Sequence, residues 1–191
     1  MEARTEGLTH RLAEEADLDP IRALMDRSIH ALLAAFLSPE EVEASFDHMG
    51  LDTQLIADRT YFLIEDPAAT DPATGRARLV GCGGWSPRAT LFGGDHTPNR
   101  DARFLDPASE PARVRAMYTD PAYARRGIGR LVIALCEDAA RAAGFSRVVL
   151  GATVAGEPFY LACGYDVVER MSVEARGLTL PLTHMIKTLS P

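Results

Sequence analysis

The segment Ala124-Arg125-Arg126-Gly127-Ile128-Gly129-Arg130 stands between a predicted strand and a predicted helix. The first turn of a helix carries free N–H groups and the positive end of the helix dipole, so it is suited to hold an anion. Gly127 and Gly129 lack side chains, which lets a phosphate approach the backbone closely. Arg130 in the first helical turn is locally unfavourable, and a bound anion would offset that cost. The segment therefore predicts a phosphate site, against the alternative of a plain turn with solvated arginines.

Two other phosphate motifs are excluded in this segment. Val132 stands where the dinucleotide-binding pattern G-x-G-x-x-G requires its third glycine. The Gly-Lys-Ser/Thr ending of a nucleotide-binding P-loop is also missing from the sequence.

Helices are predicted on both sides of this segment. One is expected from Asp19-Pro20, where Asp caps free N–H groups and Pro takes the first position. A second is expected from Ser38, which opens a Ser-x-x-Glu capping box, to about Met49. A third covers residues 131–143, and its apolar face is expected to contain Leu131, Leu135, Ala139 and Ala143.

Strands are predicted over residues 61–65, 78–85, 112–119, 147–153, 165–174 and 178–189, with a further one near Leu12. Residues 66–75 read as a loop, and residues 158–163 as a short helix. The strand–helix–strand order over residues 112–153 implies a right-handed crossover between parallel strands. We therefore expect one mixed α/β (α+β) domain over residues 1–191, with about six or seven strands in a largely antiparallel sheet flanked by helices.

Residues 86–111 form a long polar stretch with several glycines and prolines. Loops of this length are uncommon in compact domains unless they are functional or mobile. Two interpretations stay open, a mobile surface insertion and a lid or wall over a substrate site.

The composition of the chain disfavours several classes of function. The 191 residues carry a formal net charge of −7, which disfavours binding to nucleic acid or to an anionic membrane. Cys82, Cys136 and Cys163 form no C-x-x-C pair, so neither a zinc ribbon nor a disulfide framework is predicted. The five histidines form no H-E-x-x-H motif, so no metal site is predicted either. With no signal peptide and no long apolar run, we expect a cytoplasmic protein.

The segment resembles the phosphate motif of the GCN5-related N-acetyltransferase (GNAT) family, Q/R-x-x-G-x-G/A. Gly127 and Gly129 match the two glycine positions, whereas Ala124 replaces the first Gln or Arg. The lead-in Met117-Tyr118-Thr119-Asp120-Pro121 and the later Phe159-Tyr160-Leu161-Ala162-Cys163-Gly164-Tyr165 are similar to two further family motifs, in the same order.

This resemblance implies a GNAT-like fold and acetyl-CoA as cosubstrate. The pyrophosphate would lie on the backbone amides of Arg125, Arg126, Gly127, Ile128, Gly129 and Arg130. The pantetheine arm would follow the strand at Met117, Tyr118 and Thr119, and the Met117 amide would polarise the thioester carbonyl.

The resemblance also implies proton-transfer groups. Tyr160 matches the family's frequent acid, which protonates the departing thiolate, although a structural hydrogen bond is the alternative role for its hydroxyl. The base stays open between a water chain and five side chains: His30, His48, Tyr118, Asp120 and His184.

The implied reaction is acetyl transfer to a primary amine of a small molecule or peptide by direct attack in a ternary complex. Family members often dimerise, which favours a homodimer. The acceptor pocket would include Phe36, Phe46, His48, Trp85, Arg88 and Arg103. The alternative is a non-catalytic acyl-CoA-binding or regulatory module, motivated by Ala124 and by the lack of an acid in residues 114–119.

Overall fold

The computed structural model describes residues 5–97 and 100–190. Within them, seven strands form one sheet, and five α-helices and two short 3₁₀ turns connect the strands. The strands are β1 (Thr9–Leu12), β2 (Tyr61–Thr70), β3 (Ala77–Ser86), β4 (Ala112–Thr119), β5 (Arg147–Thr153), β6 (Asp166–Ala175) and β7 (Leu178–Thr188). The helices are α1 (Leu18–Leu33), α2 (Pro39–Ser45), α3 (Thr53–Ala57), α4 (Ile128–Ala142) and α5 (Glu157–Leu161).

The sheet order is β1-β2-β3-β4-β5-β7-β6, and every neighbouring pair is antiparallel except β4 and β5. The predicted mixed, largely antiparallel fold with one parallel pair is therefore confirmed. The parallel pair is short, because only Ala112 and Arg113 of β4 lie opposite residues of β5, namely Val148 and Val149. Beyond these residues the two strands diverge.

An irregularity in β4 begins where the divergence begins. Arg115 lies opposite Gly84 of β3 and Tyr118 lies opposite Cys82, so Ala116 and Met117 together face one residue of β3. Ala116 adopts φ +52°, the left-handed conformation that a β-bulge uses and that a side chain disfavours. The hydroxyl of the buried Tyr61 donates to the Ala116 carbonyl at 2.8 Å and so stabilises the bulge.

Helices cover both faces of the sheet. On one face α1 packs Ile21, Leu24 and Ile29 against the strands, and on the other α4 packs its own apolar side. The predicted apolar face of α4 is wrong by one position, since its buried residues are Ile128, Val132, Ile133, Cys136, Glu137 and Ala140. Leu131, Leu135 and Ala139 are partly buried beside them, and Ala143 is exposed.

Element boundaries differ from the predictions where tertiary pairing continues a strand or ends a helix. Strand β2 runs to Thr70, which lies opposite Ala77, so half of the predicted loop over residues 66–75 belongs to a hairpin. Helix α1 begins at Leu18, just before the predicted Asp19-Pro20 start. The predicted capping box of α2 is confirmed, with Ser38 Oγ accepting from the Glu41 amide at 3.3 Å, but α2 ends at Ser45, short of Met49.

The segment over residues 86–111 lies along the sheet and is fastened both through carbonyl oxygens and through the ion pairs of Arg88 with Asp58 and of Arg100 with Asp52. Its residues 98 and 99 are outside the described part. Arg113 of β4 donates to the Ala89 carbonyl at 3.2 Å, and Arg115 of β4 donates to the Gly93 carbonyl at 2.6 Å. The predicted mobility of this segment stays a prediction.

We expect Tyr61→Phe to lower the free energy of unfolding by about 1–3 kcal/mol, because it leaves the partly buried Ala116 carbonyl without its side-chain donor. Urea denaturation followed by circular dichroism measures this change. An unchanged denaturation midpoint would show that the bulge does not depend on this hydroxyl.

Candidate functional site

A cavity of about 1050 Å³ opens where β4 and β5 diverge. Its walls come from α1, the segment over residues 86–111, β4, β5, α5, and the turn that leads into α4. All of the site residues predicted from the sequence line it: Met117, Tyr118, Thr119, Arg125, Arg126, Gly127, Ile128, Gly129, Arg130 and Tyr160.

The turn before α4 has the backbone geometry of an anion site. Gly127 is the N-cap of α4 and adopts φ +88°, and Arg125 adopts φ +63°. The first helical hydrogen bond joins the Leu131 amide to the Gly127 carbonyl at 3.0 Å, so the amides of residues 128–130 precede the regular bonds of the helix. Left-handed residues alternating with others in a turn make a concave group of amides of the kind that holds anions.

Three arginines make this end of the cavity positive. The guanidinium of Arg126 lies 4.6 Å from the ring centre of Tyr123, and Arg130 donates to the Ala162 carbonyl at 3.0 Å. Arg125 is exposed on the left-handed turn. Within the described residues none of the three forms an ion pair, so their charges stay available to an anion although the whole chain is acidic.

The structure gives a reason for a glycine at position 129 that the sequence did not indicate. A Cβ at this position would lie 3.0 Å from Cζ of Phe159, because the first turn of α4 packs closely on α5. The missing side chain thus lets α4 and α5 approach each other, in addition to leaving the amides open.

At the centre of the cavity lie the bulge and Tyr160. The Tyr160 hydroxyl is 3.5 Å from Sδ of Met117, and its ring stacks edge-on against Phe159 and Tyr165, with centroids at 5.0 and 5.7 Å. Burial raises the pKa of Tyr160 well above its ordinary value, which keeps the phenol neutral and able to donate a proton. The Thr119 amide, predicted to face the cavity, donates to Ser28 Oγ of α1 at 3.3 Å.

The family model described as acetyltransferase (GNAT) family matches residues 27–165, well over half of the chain. This chain belongs to the GNAT family. It is therefore an acyltransferase by family, as the three ordered motifs predicted.

Solved structures share the GNAT fold over nearly the whole chain. A GCN5-related N-acetyltransferase from Rhodopseudomonas palustris superposes with a TM-score of 0.69 at 21% identity, covering 99% of each chain. A candidate acetyltransferase from Salmonella typhimurium, solved with its cofactor acetyl-CoA, gives a TM-score of 0.56 at 20% identity, covering 97% of this chain and 95% of that one. No curated protein matches the sequence significantly.

Two of the five candidate bases lie away from the cavity of this GNAT protein and are held in ion pairs. His30 contacts Glu43 at 2.9 Å, and that hydrogen bond raises the pKa of His30. Burial alone would raise the pKa of Asp120, but hydrogen bonds from Arg78 and from the Ala122 amide shift it below its ordinary value. Both groups therefore have structural partners.

Of the other three, His48 is the imidazole that lines the cavity. His184 is not in the cavity lining, and its pKa is lowered by burial and by nearby Arg113. Tyr118 lines the cavity, but burial raises its pKa, so its phenol stays protonated. His48 also lines the cavity, and its Nε2 lies 2.8 Å from the Glu174 carbonyl, which requires a proton on Nε2. In the neutral ring Nδ1 is then the acceptor, and it is buried without a partner among the described residues.

The predicted acceptor pocket is only partly assembled. Phe36 and His48 line the cavity. The other four residues lie outside its lining: Phe46 packs on His30, Trp85 on Phe145, Arg88 pairs with Asp58, and Arg103 pairs with Glu110.

Sequence reasoning missed part of the cavity wall. Leu91, Phe92 and Gly93 supply one side, which fits the wall interpretation of residues 86–111. Arg115 was missed as well, although an arginine inside an otherwise apolar strand is itself a sign of a buried ion pair. Arg115 pairs with the buried Asp52, and its Nε has no partner in the described structure.

We expect the tyrosines of the folded protein to resist ionisation at pH values near their ordinary pKa of about 10. Burial is the largest cause of a raised pKa at all of them: Tyr61, Tyr118, Tyr123, Tyr160 and Tyr165. Because the neutral form is favoured in the folded state, stability is retained below this pH and falls above it. Near-ultraviolet titration of native and urea-denatured protein measures the difference, and coincident curves would contradict it.

Proposed function

We propose that this protein transfers an acetyl group from acetyl-CoA to a primary amine by direct attack in a ternary complex. The observation that carries the proposal is the continuity of one cavity, which joins the positive turn before α4, the bulge of β4 and the neutral phenol of Tyr160. Each of these features supplies something that acyl transfer from a phosphate-bearing thioester requires.

The turn before α4 fits the phosphates of acetyl-CoA. Amides of residues 125–130 would donate hydrogen bonds to the pyrophosphate, and the guanidinium groups of Arg125, Arg126 and Arg130 would balance its charge. No ion pair within the described structure has to break first, because these arginines have no carboxylate partner there.

The bulge fits the thioester end. Its register leaves Met117 without a Cα partner in either neighbouring strand, so the Met117 amide would be directed at the thioester carbonyl oxygen. In the transfer the amine nitrogen forms a bond to the carbonyl carbon, and the bond from carbon to sulfur breaks. Tyr160, 3.5 Å from Met117 Sδ, would give its proton to the departing thiolate.

We assign the amine proton to His48. Its Nε2 is fixed by the Glu174 carbonyl, and the lone pair on Nδ1 has no other use among the described residues. A proton accepted at Nδ1 would leave the amine neutral and nucleophilic.

Binding of acetyl-CoA is tested with two variants at one position. Both Gly127→Ala and Gly127→Glu strain the left-handed N-cap by about 1 kcal/mol, so they share any effect on folding. Only Gly127→Glu adds negative charge to the turn, and we expect it to weaken acetyl-CoA binding at least about 100-fold relative to Gly127→Ala. Isothermal titration calorimetry measures both, with circular dichroism as the check on folding.

Equal affinities of these two variants would place the phosphates elsewhere. Failure of the unmodified protein to bind acetyl-CoA at millimolar concentration would end the proposal. Binding without thiol release in a screen of amines would instead favour the non-catalytic acyl-CoA-binding module.

Turnover is tested by removing the two proton-transfer groups. We expect Tyr160→Phe and His48→Gln each to lower kcat by about tenfold to hundredfold, with acetyl-CoA affinity changed little. Release of free thiol gives the rate, and calorimetry gives the affinity. His30→Gln is the matched control, because His30 is ion-paired outside the cavity. Unchanged kcat in either variant would remove that residue from the mechanism.

A further inference from the structure

The end of the cavity away from the phosphate turn is built from apolar side chains. Helix α1 contributes Ile29, Leu32 and Leu33, the turn after it contributes Phe36, and further walls come from Leu91, Phe92 and Leu182. Leu32 is 38% exposed and Phe36 is 54% exposed, so two large apolar side chains meet solvent beside the cavity. An apolar ligand that reached them would remove this surface from water.

Carboxylates are missing from the described lining of the cavity. None of its residues is Asp, Glu or Lys, although the chain as a whole holds 27 acidic residues. The one arginine of the apolar end, Arg115, is paired with Asp52, and the second oxygen of Asp52 accepts from Arg100 at 2.7 Å. The excess of acidic residues in the whole chain is therefore not found in the described lining of this cavity.

An apolar lining without carboxylates favours some amines over others as the acceptor. A second ammonium group carried into the apolar end would lose its hydration and find no counter-ion, which is a large free-energy cost. An alkyl or aryl body would instead replace water on the walls of Leu33, Phe92 and Leu182. His48 is the one imidazole of the described lining and would accept the proton of the single reacting amine.

We infer that the acceptor is a primary amine on an apolar alkyl or aryl body that carries no second positive charge. The inference rests on the proposed acetyl transfer and adds the class of acceptor. This acceptor class excludes polyamines and aminoglycosides, although the overall negative charge of the chain would otherwise favour them.

Hexylamine and hexamethylenediamine make a matched test, since they share a chain length and differ by one distal ammonium group. We expect kcat/KM with acetyl-CoA to be at least about tenfold higher for hexylamine. Thiol release at saturating acetyl-CoA gives both values. If neither amine turns over, thermal shift of the CoA-bound protein makes the same comparison by binding. Equal or stronger use of the diamine overturns the inference.

A negative charge placed at the mouth of the pocket should weaken the preference for hexylamine. Leu32→Glu adds a carboxylate to an exposed lining position, and we expect it to raise the ratio of diamine to hexylamine kcat/KM at least about fivefold. Val168→Glu adds the same charge on β6, outside the cavity lining, and should leave the ratio unchanged. An unchanged ratio in Leu32→Glu counts against the inference. Acetyl-CoA binding by calorimetry is scored separately, so failure of the acceptor class and failure of acetyl transfer are told apart.

Discussion

The divergence of β4 from β5 is the constraint on which the cavity depends. Two parallel strands that stayed paired would close the sheet, yet here the pairing lasts for only two residues of each strand. The bulge at Ala116 begins where pairing stops, and the Tyr61 hydroxyl holds its carbonyl. A buried phenol on β2 therefore fixes the shape of a strand two places away in the sheet, and the space beside that strand becomes the cavity.

Glycines on both sides of the sheet allow this arrangement. Gly83 lies opposite the bulge, where a Cβ would come within 2.7 Å of the Met117 side chain and 2.6 Å of Val132. Gly127 takes the left-handed conformation that turns the chain into α4. The bulge and the anion turn are thus close to one another and are both set by positions that a larger residue would strain.

Much of the fold and the cofactor half of the candidate site could be predicted from sequence, because short-range rules govern both. The capping box at Ser38 and the turn at Gly127 are local patterns, and the element order around residues 112–153 implies the parallel pair. The acceptor half could not be predicted, because distant segments meet there. Nothing near Arg115 in the sequence indicates Asp52, and Phe92 reaches the cavity on a segment that Arg113 and Arg115 help to fasten to the sheet. The one-residue error in the apolar face of α4 arose because packing, rather than the pattern alone, decides which side of the helix is buried.

The wall formed by residues 86–111 is held by main-chain oxygens and by the ion pairs of Arg88 with Asp58 and of Arg100 with Asp52. Arg113, Arg115 and Thr90 donate to the carbonyls of Ala89, Gly93 and Asp101, and Arg88 donates to the carbonyl of Ala102. Neither Leu91 nor Phe92 takes part in these bonds among the described residues, so the path of this wall is insensitive to which side chains stand at those two positions. Relatives could therefore exchange those two side chains, and with them the shape of the pocket, without rebuilding the rest of the cavity.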